Sequence, residues 1–134
     1  MAKLRAAFKL VAVNADDLRN YLLAKPLTSE ETPFGPDVLV YKVKGKMFAT
    51  LGFEVEEGIE IGQTNLKCDP ERAVSLRAEH ESIVPGYHMN KKHWNTLVLD
   101  GSLPSGLIRE LVDHSWDLVV AGLPKRDRAE LTEG

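Results

Sequence analysis

Hydrophobic residues recur at helical spacing near both ends of the chain and at strand-like spacing between them. In the first helical segment the apolar positions are Leu18, Tyr21 and Leu22. Residues three and four apart share one face of a helix, so this pattern predicts an amphipathic helix from about Ala15 to Lys25. Asn14 suits its N-cap, and Pro26 ends it because the residue before a proline disfavours helical backbone.

The middle of the chain has the composition of antiparallel strands. Val38 to Val43 is rich in β-branched residues, Met47 to Phe53 mirrors it, and Lys44-Gly45 between them indicates a hairpin turn. A third strand is predicted from about Glu60 to Lys67, with Gly62 as a candidate bulge. Because short turns join these three segments, we expect them to pair antiparallel.

A second helix has the clearest start signal in the sequence. Asp69 is an N-cap residue and Pro70 suits the first helical turn, which predicts a helix running to about Glu79. After it, Tyr87 to Met89 and His93 to Leu99 have the composition of two short strands. One strand after a long loop is an equally open interpretation of this segment.

The third helix has the strongest periodicity and is predicted from about Ser105 to Ala121. Its apolar positions follow the i, i+3/i+4 rule at Leu107, Ile108, Leu111, Val112, Ser115, Leu118 and Val119. Arg109 and Glu110 fall on the opposite side, where they face water. Gly122 and Pro124 mark the end of this helix.

The predicted order of elements is α-β-β-β-α-β-β-α within a single domain, 1–134. It describes a two-layer α+β fold with an antiparallel sheet of about five strands and helices packed on one face. The other face of the sheet is left to water or to a partner. We expect residues 1–13 and 126–134 to be loose termini.

Composition narrows the classes of function. The chain has 134 residues, one cysteine and a formal net charge of −3. One cysteine excludes an internal disulfide, and no apolar run approaches the roughly 20 residues of a transmembrane helix. We therefore expect a cytoplasmic protein without membrane contact. Because the chain is mildly acidic, any nucleic-acid binding has to come from a local basic patch.

The sequence contains no common catalytic signature. Phosphate loops, the HExxH and CxxC motifs and the GxSxG elbow do not occur. Cys68 precedes a helix start, where a thiolate is favoured, but no flanking signature supports it as a nucleophile. A metal site of Cys68 with His80, His88 and His93 lacks ligand spacing. Asp113-His114-Ser115 are adjacent in one helix and point in different directions. We expect no enzymatic activity, no metal and no cofactor.

Basic residues form two clusters that contain no acid. The first surrounds the predicted hairpin tip and consists of Lys42, Lys44 and Lys46. The second consists of Lys91, Lys92, His93 and Trp94. Lysines neutralise phosphates and a tryptophan stacks on bases, so the clusters are typical of nucleic-acid contact. A solvated hairpin with edge lysines and a core Trp94 is the alternative interpretation.

Several short motifs resemble those of a known family. They are Thr32-Pro33-Phe34-Gly35, Lys46-Met47-Phe48, Asn65 to Pro70, Pro85 to Thr96 and Asp113 to Val119. In this order they resemble the MmcQ/YjbR family of small bacterial proteins, over about Asn14 to Lys125. The family usually has Ser-Tyr where this chain has Ser115-Trp116, which removes any role of a tyrosine hydroxyl there.

The resemblance implies a fold similar to frataxin-like and secretion-chaperone-like α+β domains. Members are named as DNA-binding because this fold carries two β-hairpin wings. By that resemblance the wings are the Lys44-Gly45 hairpin and the Lys91–Trp94 region, and DNA is bound mainly through its phosphates. The alternative is a protein-interaction or chaperone-like module that uses the open sheet face. A monomer or weak homodimer is expected.

Overall fold

The computed structural model describes residues 15–87 and 89–133, which form four helices and six strands. Helix α1 covers residues 15–24, and the other helices are α2 Pro70–Glu79, α3 Ser105–Ala121 and α4 Lys125–Glu133. The strands are β1 Thr28–Glu31, β2 Val38–Val43, β3 Lys46–Glu56, β4 Ile59–Lys67, β5 Ile83–Pro85 and β6 Trp94–Leu99. They form one antiparallel sheet in the order β1-β2-β3-β4-β6-β5. The predicted α+β class is confirmed.

Two tight turns set the register of the three long strands. Lys44 and Gly45 have φ of 50° and 78°, and Glu57 and Gly58 have φ of 52° and 79°. Two successive residues at positive φ match the twist of the flanking strands, as in type I′ turns. The predicted hairpin at Lys44-Gly45 is therefore confirmed.

The core lies between the sheet and the helices. From the helices, Leu22 of α1 and Val112 of α3 are fully buried, and from β3 Phe48 is fully buried. Each such side chain contributes roughly 1.5–3 kcal/mol when it leaves water. Asp69 caps α2 as predicted, since its carboxylate accepts a hydrogen bond from the backbone N–H of Arg72 at 3.2 Å.

The irregularity in the sheet falls on β2 and β3 instead of at Gly62. The register shifts between Tyr41 and Lys42, where Phe48 is the extra residue of β3. Gly62 keeps a regular register between Phe53 and Leu99. A side chain at Gly62 would come within 3.2 Å of Leu99, so the glycine provides close packing and the predicted bulge there is wrong.

Three further predictions are corrected by the structure. The sheet has six strands because residues Thr28–Glu31, which were not predicted as a strand, pair with β2. The strand after α2 is Ile83–Pro85, because its backbone pairs with β6, whereas Tyr87 lies in a turn. The expected loose C-terminus is α4, where Leu131 is buried in the core and holds the helix against the domain.

Some predictions fall outside the described residues. Asn14 as the cap of α1, the loose terminus 1–13 and the placement of His88 are among them. Within 15–87 and 89–133, no helix is long and apolar enough to cross a membrane.

Candidate binding face of the sheet

The two faces of the sheet differ in what covers them. Along β4, Thr64 and Leu66 are buried on the side of the helices. The alternate residues Gln63, Asn65 and Lys67 are only half-buried, because they lie on the opposite side. Strand residues alternate between faces. We call this second side the open face.

A hydrogen-bonded row of polar side chains crosses the open face. The Asn65 side-chain amide Nδ2 donates to Thr50 Oγ1 at 2.9 Å, and Thr96 Oγ1 donates to the carboxamide oxygen Oδ1 of Asn65. The backbone N–H of Tyr87 in turn donates to Thr96 Oγ1 at 3.1 Å. The row therefore links three strands and fixes the loop after β5 above the sheet.

A groove of about 470 Å³ lies over this row. Its floor is formed by strand residues, among them Thr50, Gly52, Gln63 and Asn65. Phe34 from the loop between β1 and β2 lines it too, as do Tyr87 and Met89 from the loop before β6. Phe34 is 75% exposed and Tyr87 50% exposed, so the aromatic rings of these two loop residues border the opening, and Phe53 of β3 lines the groove as a third aromatic residue. None of the described lining residues is charged.

Lysines collect at one end of the sheet. Strands β2 and β4 end there and strands β3 and β6 begin there, since Val43 pairs with Lys46 and Lys67 pairs with Trp94. The two predicted basic clusters are therefore brought to the same end, separated by β4. We call this set of six lysines the basic end: Lys42, Lys44, Lys46, Lys67, Lys91 and Lys92.

The lysines of the first predicted cluster differ in their availability. Lys42 lies on the open face opposite Met47, and its ammonium is 3.5 Å from Glu31. Lys44 is paired with the carboxylate of Glu130 in α4, and that pairing holds the pKa of Glu130 below its usual value. Lys46 is exposed beside the turn.

The second predicted cluster belongs to an ordered loop between β5 and β6. Lys91 Nζ donates to the carbonyl oxygen of Gly86 at 3.0 Å, which fixes the ammonium over the loop. The carboxamide oxygen of Asn90 accepts from the backbone N–H of Lys92 at 2.9 Å, a local hydrogen bond that stabilises the turn. Lys92 itself is exposed.

His93 and Trp94 join this loop to the sheet. The His93 carbonyl oxygen accepts from the backbone N–H of Cys68 at 2.8 Å, and the Trp94 carbonyl oxygen accepts from Gly86 at 2.9 Å. The Trp94 side chain is half-buried at the end of the open face, on the side of Thr96. Its position suits both packing and contact with a ligand.

Sequence reasoning missed the polar and basic residues of β4. Gln63, Asn65 and Lys67 lie on one face and form a column that runs from the groove to the basic end. Their i, i+2 spacing was the available signal. It was obscured because Leu66 interrupts the apolar alternation that Ile59 and Ile61 begin.

The motif around Ser115 is structural, since each of its residues reaches a different element. Asp113 accepts from Tyr21 of α1 at 2.7 Å and from Lys25, directly after α1, at 2.9 Å. His114 Nε2 accepts from the backbone N–H of Asp69 at 3.1 Å. Ser115 Oγ accepts from the N–H of Lys67 at 2.9 Å and donates to the carbonyl oxygen of Phe48 at 2.5 Å. Because the three side chains point toward different elements, they cannot form a catalytic proton relay.

Trp116 follows this motif. It stands at the position where the family that the sequence resembles usually has a tyrosine. Its ring lies 4.8 Å from Lys25 Nζ, measured to the ring centroid. An ammonium at this distance is attracted by the ring face. The aromatic ring at this position therefore contributes to holding α1 on α3 without any hydroxyl group.

The alternatives based on Cys68 and on metal ligands gain no support from the geometry. Cys68 is buried in the core, and burial raises the pKa of its thiol, which disfavours the reactive thiolate. In the part of the chain that the structure describes, no group of three or more His, Cys, Asp or Glu side chains could hold a metal ion.

Comparison with known proteins places the chain among small bacterial proteins of the same architecture. It is 37% identical to the uncharacterised Escherichia coli K12 protein YjbR over 117 residues, which cover 87% of this chain and 96% of that protein. It is 42% identical to the uncharacterised protein YbdF of Escherichia coli O157:H7 over 102 residues, 76% of this chain and 80% of that protein.

Solved structures agree with these relatives. A Deinococcus radiodurans protein with a DUF419 domain superposes with a TM-score of 0.77 and 41% identity, covering 87% of this chain and 86% of that one. A Pseudomonas syringae protein gives a TM-score of 0.68 and 30% identity, covering 77% and 96%. The YjbR family model matches residues 23–118. The chain belongs to the YjbR family.

Proposed function

We propose that this protein binds nucleic acid through the basic end of its sheet, mainly by contact with phosphates, and that it does so without catalysing a reaction. The observation that carries the proposal is the convergence of six lysines, from separate parts of the sequence, at one end of the sheet, with Lys42 and Lys67 on the open face. Phosphate contacts supply most of the affinity of sequence-independent binding.

The distribution of charge makes this surface suitable although the chain carries a net charge of −3. The turn between β3 and β4 lies at the opposite end of the sheet, where Glu57 and Glu60 are exposed. The carboxylates of this turn are thereby kept away from Lys46, Lys67 and Lys92. A local basic patch can attract phosphates even when the whole molecule is mildly acidic.

The strongest candidates for phosphate contact are the three lysines of the basic end whose ammonium groups form no hydrogen bond or ion pair within the described part of the chain. Lys46 and Lys92 are exposed, and Lys67 is half-buried on the open face beside Trp94. Lys42 and Lys44 would have to exchange Glu31 and Glu130 for phosphate. Surface ion pairs of this type contribute little free energy, so the exchange costs little.

The test is fluorescence anisotropy with a labelled duplex at low and at physiological salt. With three to six lysines in contact, the logarithm of the association constant should fall against the logarithm of salt concentration with a slope of about −3 to −5. Lys67→Glu should weaken binding and reduce that slope by about 1 or more. A flat salt response, or no binding of either a duplex or a single strand at low salt, would contradict the proposal.

Arg109→Glu is the matched control for a change in total charge. Arg109 is exposed on α3, in the helix layer on the other side of the sheet. Its replacement makes the same change in net charge as Lys67→Glu. If the two variants lose the same affinity, binding responds to overall charge and the basic end is not the contact surface.

A protein-interaction module is the second candidate function. The exposed rings of Phe34 and Tyr87 at the groove favour it, because aromatic side chains are enriched where proteins bind one another. A contact that rests on these rings should persist at high salt, whereas phosphate contacts weaken. Capture of one defined protein that survives both nuclease and high salt would favour this function.

A further inference from the structure

We infer that the groove on the open face binds an unstacked nucleobase of a single-stranded nucleic acid, whose phosphates lie on the basic end. The inference rests on the proposed function and adds a substrate class to it. Three features of the groove carry it: the absence of charge among its described lining residues, its carboxamide groups and its aromatic border.

Charge separates the groove from the surface next to it. The described lining residues carry neither acid nor base, while Lys42 and Lys67 lie on the same face at the adjoining basic end. A phosphate or a charged peptide side chain would find no counter-charge inside the groove. A nucleotide has the complementary distribution of charge, because its neutral base is attached to an anionic sugar-phosphate backbone.

The floor of the groove offers hydrogen bonds to a planar polar edge. Gln63 and Asn65 are two residues apart on β4 and share the open face. Each carboxamide has a carbonyl acceptor with two lone pairs and an NH₂ with two donors. Asn65 uses one donor on Thr50 and accepts from Thr96, which fixes its orientation and leaves further capacity. Donors and acceptors side by side match the edge of a base.

The border of the groove supplies flat surfaces for stacking. Phe34 and Tyr87 are aromatic, and Met89 adds a polarisable thioether. Stacking of bases on aromatic rings is tolerant of sequence, because every base has a π face. The volume of about 470 Å³ lies within the roughly 300–1,000 Å³ of small-ligand pockets.

A single strand is favoured over a duplex for a steric reason. In a duplex the bases are stacked inside the helix and cannot enter a groove whose floor is the surface of a sheet. A flexible strand can place its phosphates on the lysines and turn a base into the groove. We therefore expect tighter binding to single strands than to duplexes of the same length.

The experiment compares three labelled probes by anisotropy at low salt. They are oligothymidine of about 12 nucleotides, an abasic strand of the same length, and a duplex of that length. The abasic strand keeps the phosphates and the flexibility but lacks bases. If the groove takes a base, oligothymidine should bind at least about fivefold more tightly than the abasic strand.

Phe34→Ala and Gln63→Ala should abolish this difference without changing the salt dependence. Phe34 is 75% exposed, so its loss should leave the fold intact. Val55→Ala is the matched control, because Val55 is also an exposed apolar residue of the sheet and does not line the groove. Thermal melting of each variant shows that the domain remains folded.

The outcomes separate this inference from the proposed function. Equal binding of oligothymidine and the abasic strand, with both weakened by Lys67→Glu, overturns the base-binding groove and leaves phosphate binding in place. If the groove binds a peptide instead of a base, oligothymidine and the abasic strand should likewise bind with equal affinity. Failure of all three probes to bind at low salt overturns the proposed function together with the inference.

Discussion

Gly86 shows how closely the loop before β6 approaches the sheet. Its N–H donates to the Trp94 carbonyl oxygen at 2.9 Å, and an added Cβ would lie 2.9 Å from Trp94 Cβ and 3.0 Å from that oxygen. We predict that Gly86→Ala lowers the free energy of unfolding by about 1–3 kcal/mol, because neither neighbour can move without shifting the strand. Urea denaturation measures this change.

Gly106→Ala is the control for Gly86→Ala. Gly106 lies in the first turn of α3, and an added Cβ there meets nothing within 4 Å. Since alanine is the better helix former, the same chemical change should stabilise the protein by up to about 1 kcal/mol. Destabilisation of similar size by both variants would show that steric contact with Trp94 is not the cause.

His114 makes the stability of the fold depend on pH near neutrality. Burial, together with the nearby charge of Arg72, holds the pKa of His114 below 6.5, and its neutral Nε2 accepts from Asp69. Below about pH 6.5 the unfolded chain takes up a proton that the folded chain resists. We predict that the free energy of unfolding decreases as the pH falls from about 6.5.

His114→Gln isolates this contribution. Glutamine does not titrate, so the variant should lose the decrease that begins near pH 6.5. The acids Glu30 and Glu130 have a lowered pKa, so their contribution disappears only as the pH falls below about 4.5. Denaturation curves at several pH values test this, and an unchanged decrease near neutrality in the variant would contradict the account.

At the scale of elements, the apolar side chain of Leu131 packs α4 against the folded domain. Leu131 is 8% exposed and belongs to the core, whereas the remaining residues of the helix are mainly polar. We predict that Leu131→Ala costs about 2 kcal/mol, at the low end for leucine because the position borders solvent. Glu130→Gln should change stability much less, since its ion pair with Lys44 is exposed. Equal effects would show that the ion pair holds the helix.

The elements with a strong local signal are those that the sequence predicts well. The apolar period of α3 predicts its bounds, Ser105 to Ala121, and Asp69 with Pro70 marks the start of α2. Thr28–Glu31 has no apolar alternation, because it is a polar edge strand whose pairing with β2 is a tertiary interaction. The helical state of α4 likewise depends on a contact that is distant in sequence.

The sequence predicts those parts of the candidate site that have a local signal and misses those that depend on tertiary interactions. Clusters of lysine are visible in the sequence, so Lys46 and Lys92 were found. The face on which Lys67 and Gln63 lie depends on the register of β4 against β3 and β6. The groove is lined by two loops that are distant in sequence, one before β2 and one before β6. No local sequence pattern predicts that these loops lie close together in the fold.

At the scale of the whole molecule, the two sides of the sheet have separate roles. The helix layer serves the fold: α3 holds α1 through Asp113, the start of α2 through His114 and the bulge of β3 through Ser115. The open face carries a groove of uncharged residues beside the basic end. Binding should therefore be confined to one side of the sheet.

The most direct test of this claim is a titration of the ¹⁵N-labelled protein with oligothymidine at low salt, followed by amide chemical shifts. We predict that the shifts concentrate in residues 42–50, 63–67 and 86–96 and reverse as salt is raised, while the exposed residues of α3 stay unchanged. Shifts centred on the helix layer, or none at all at low salt, would contradict the account.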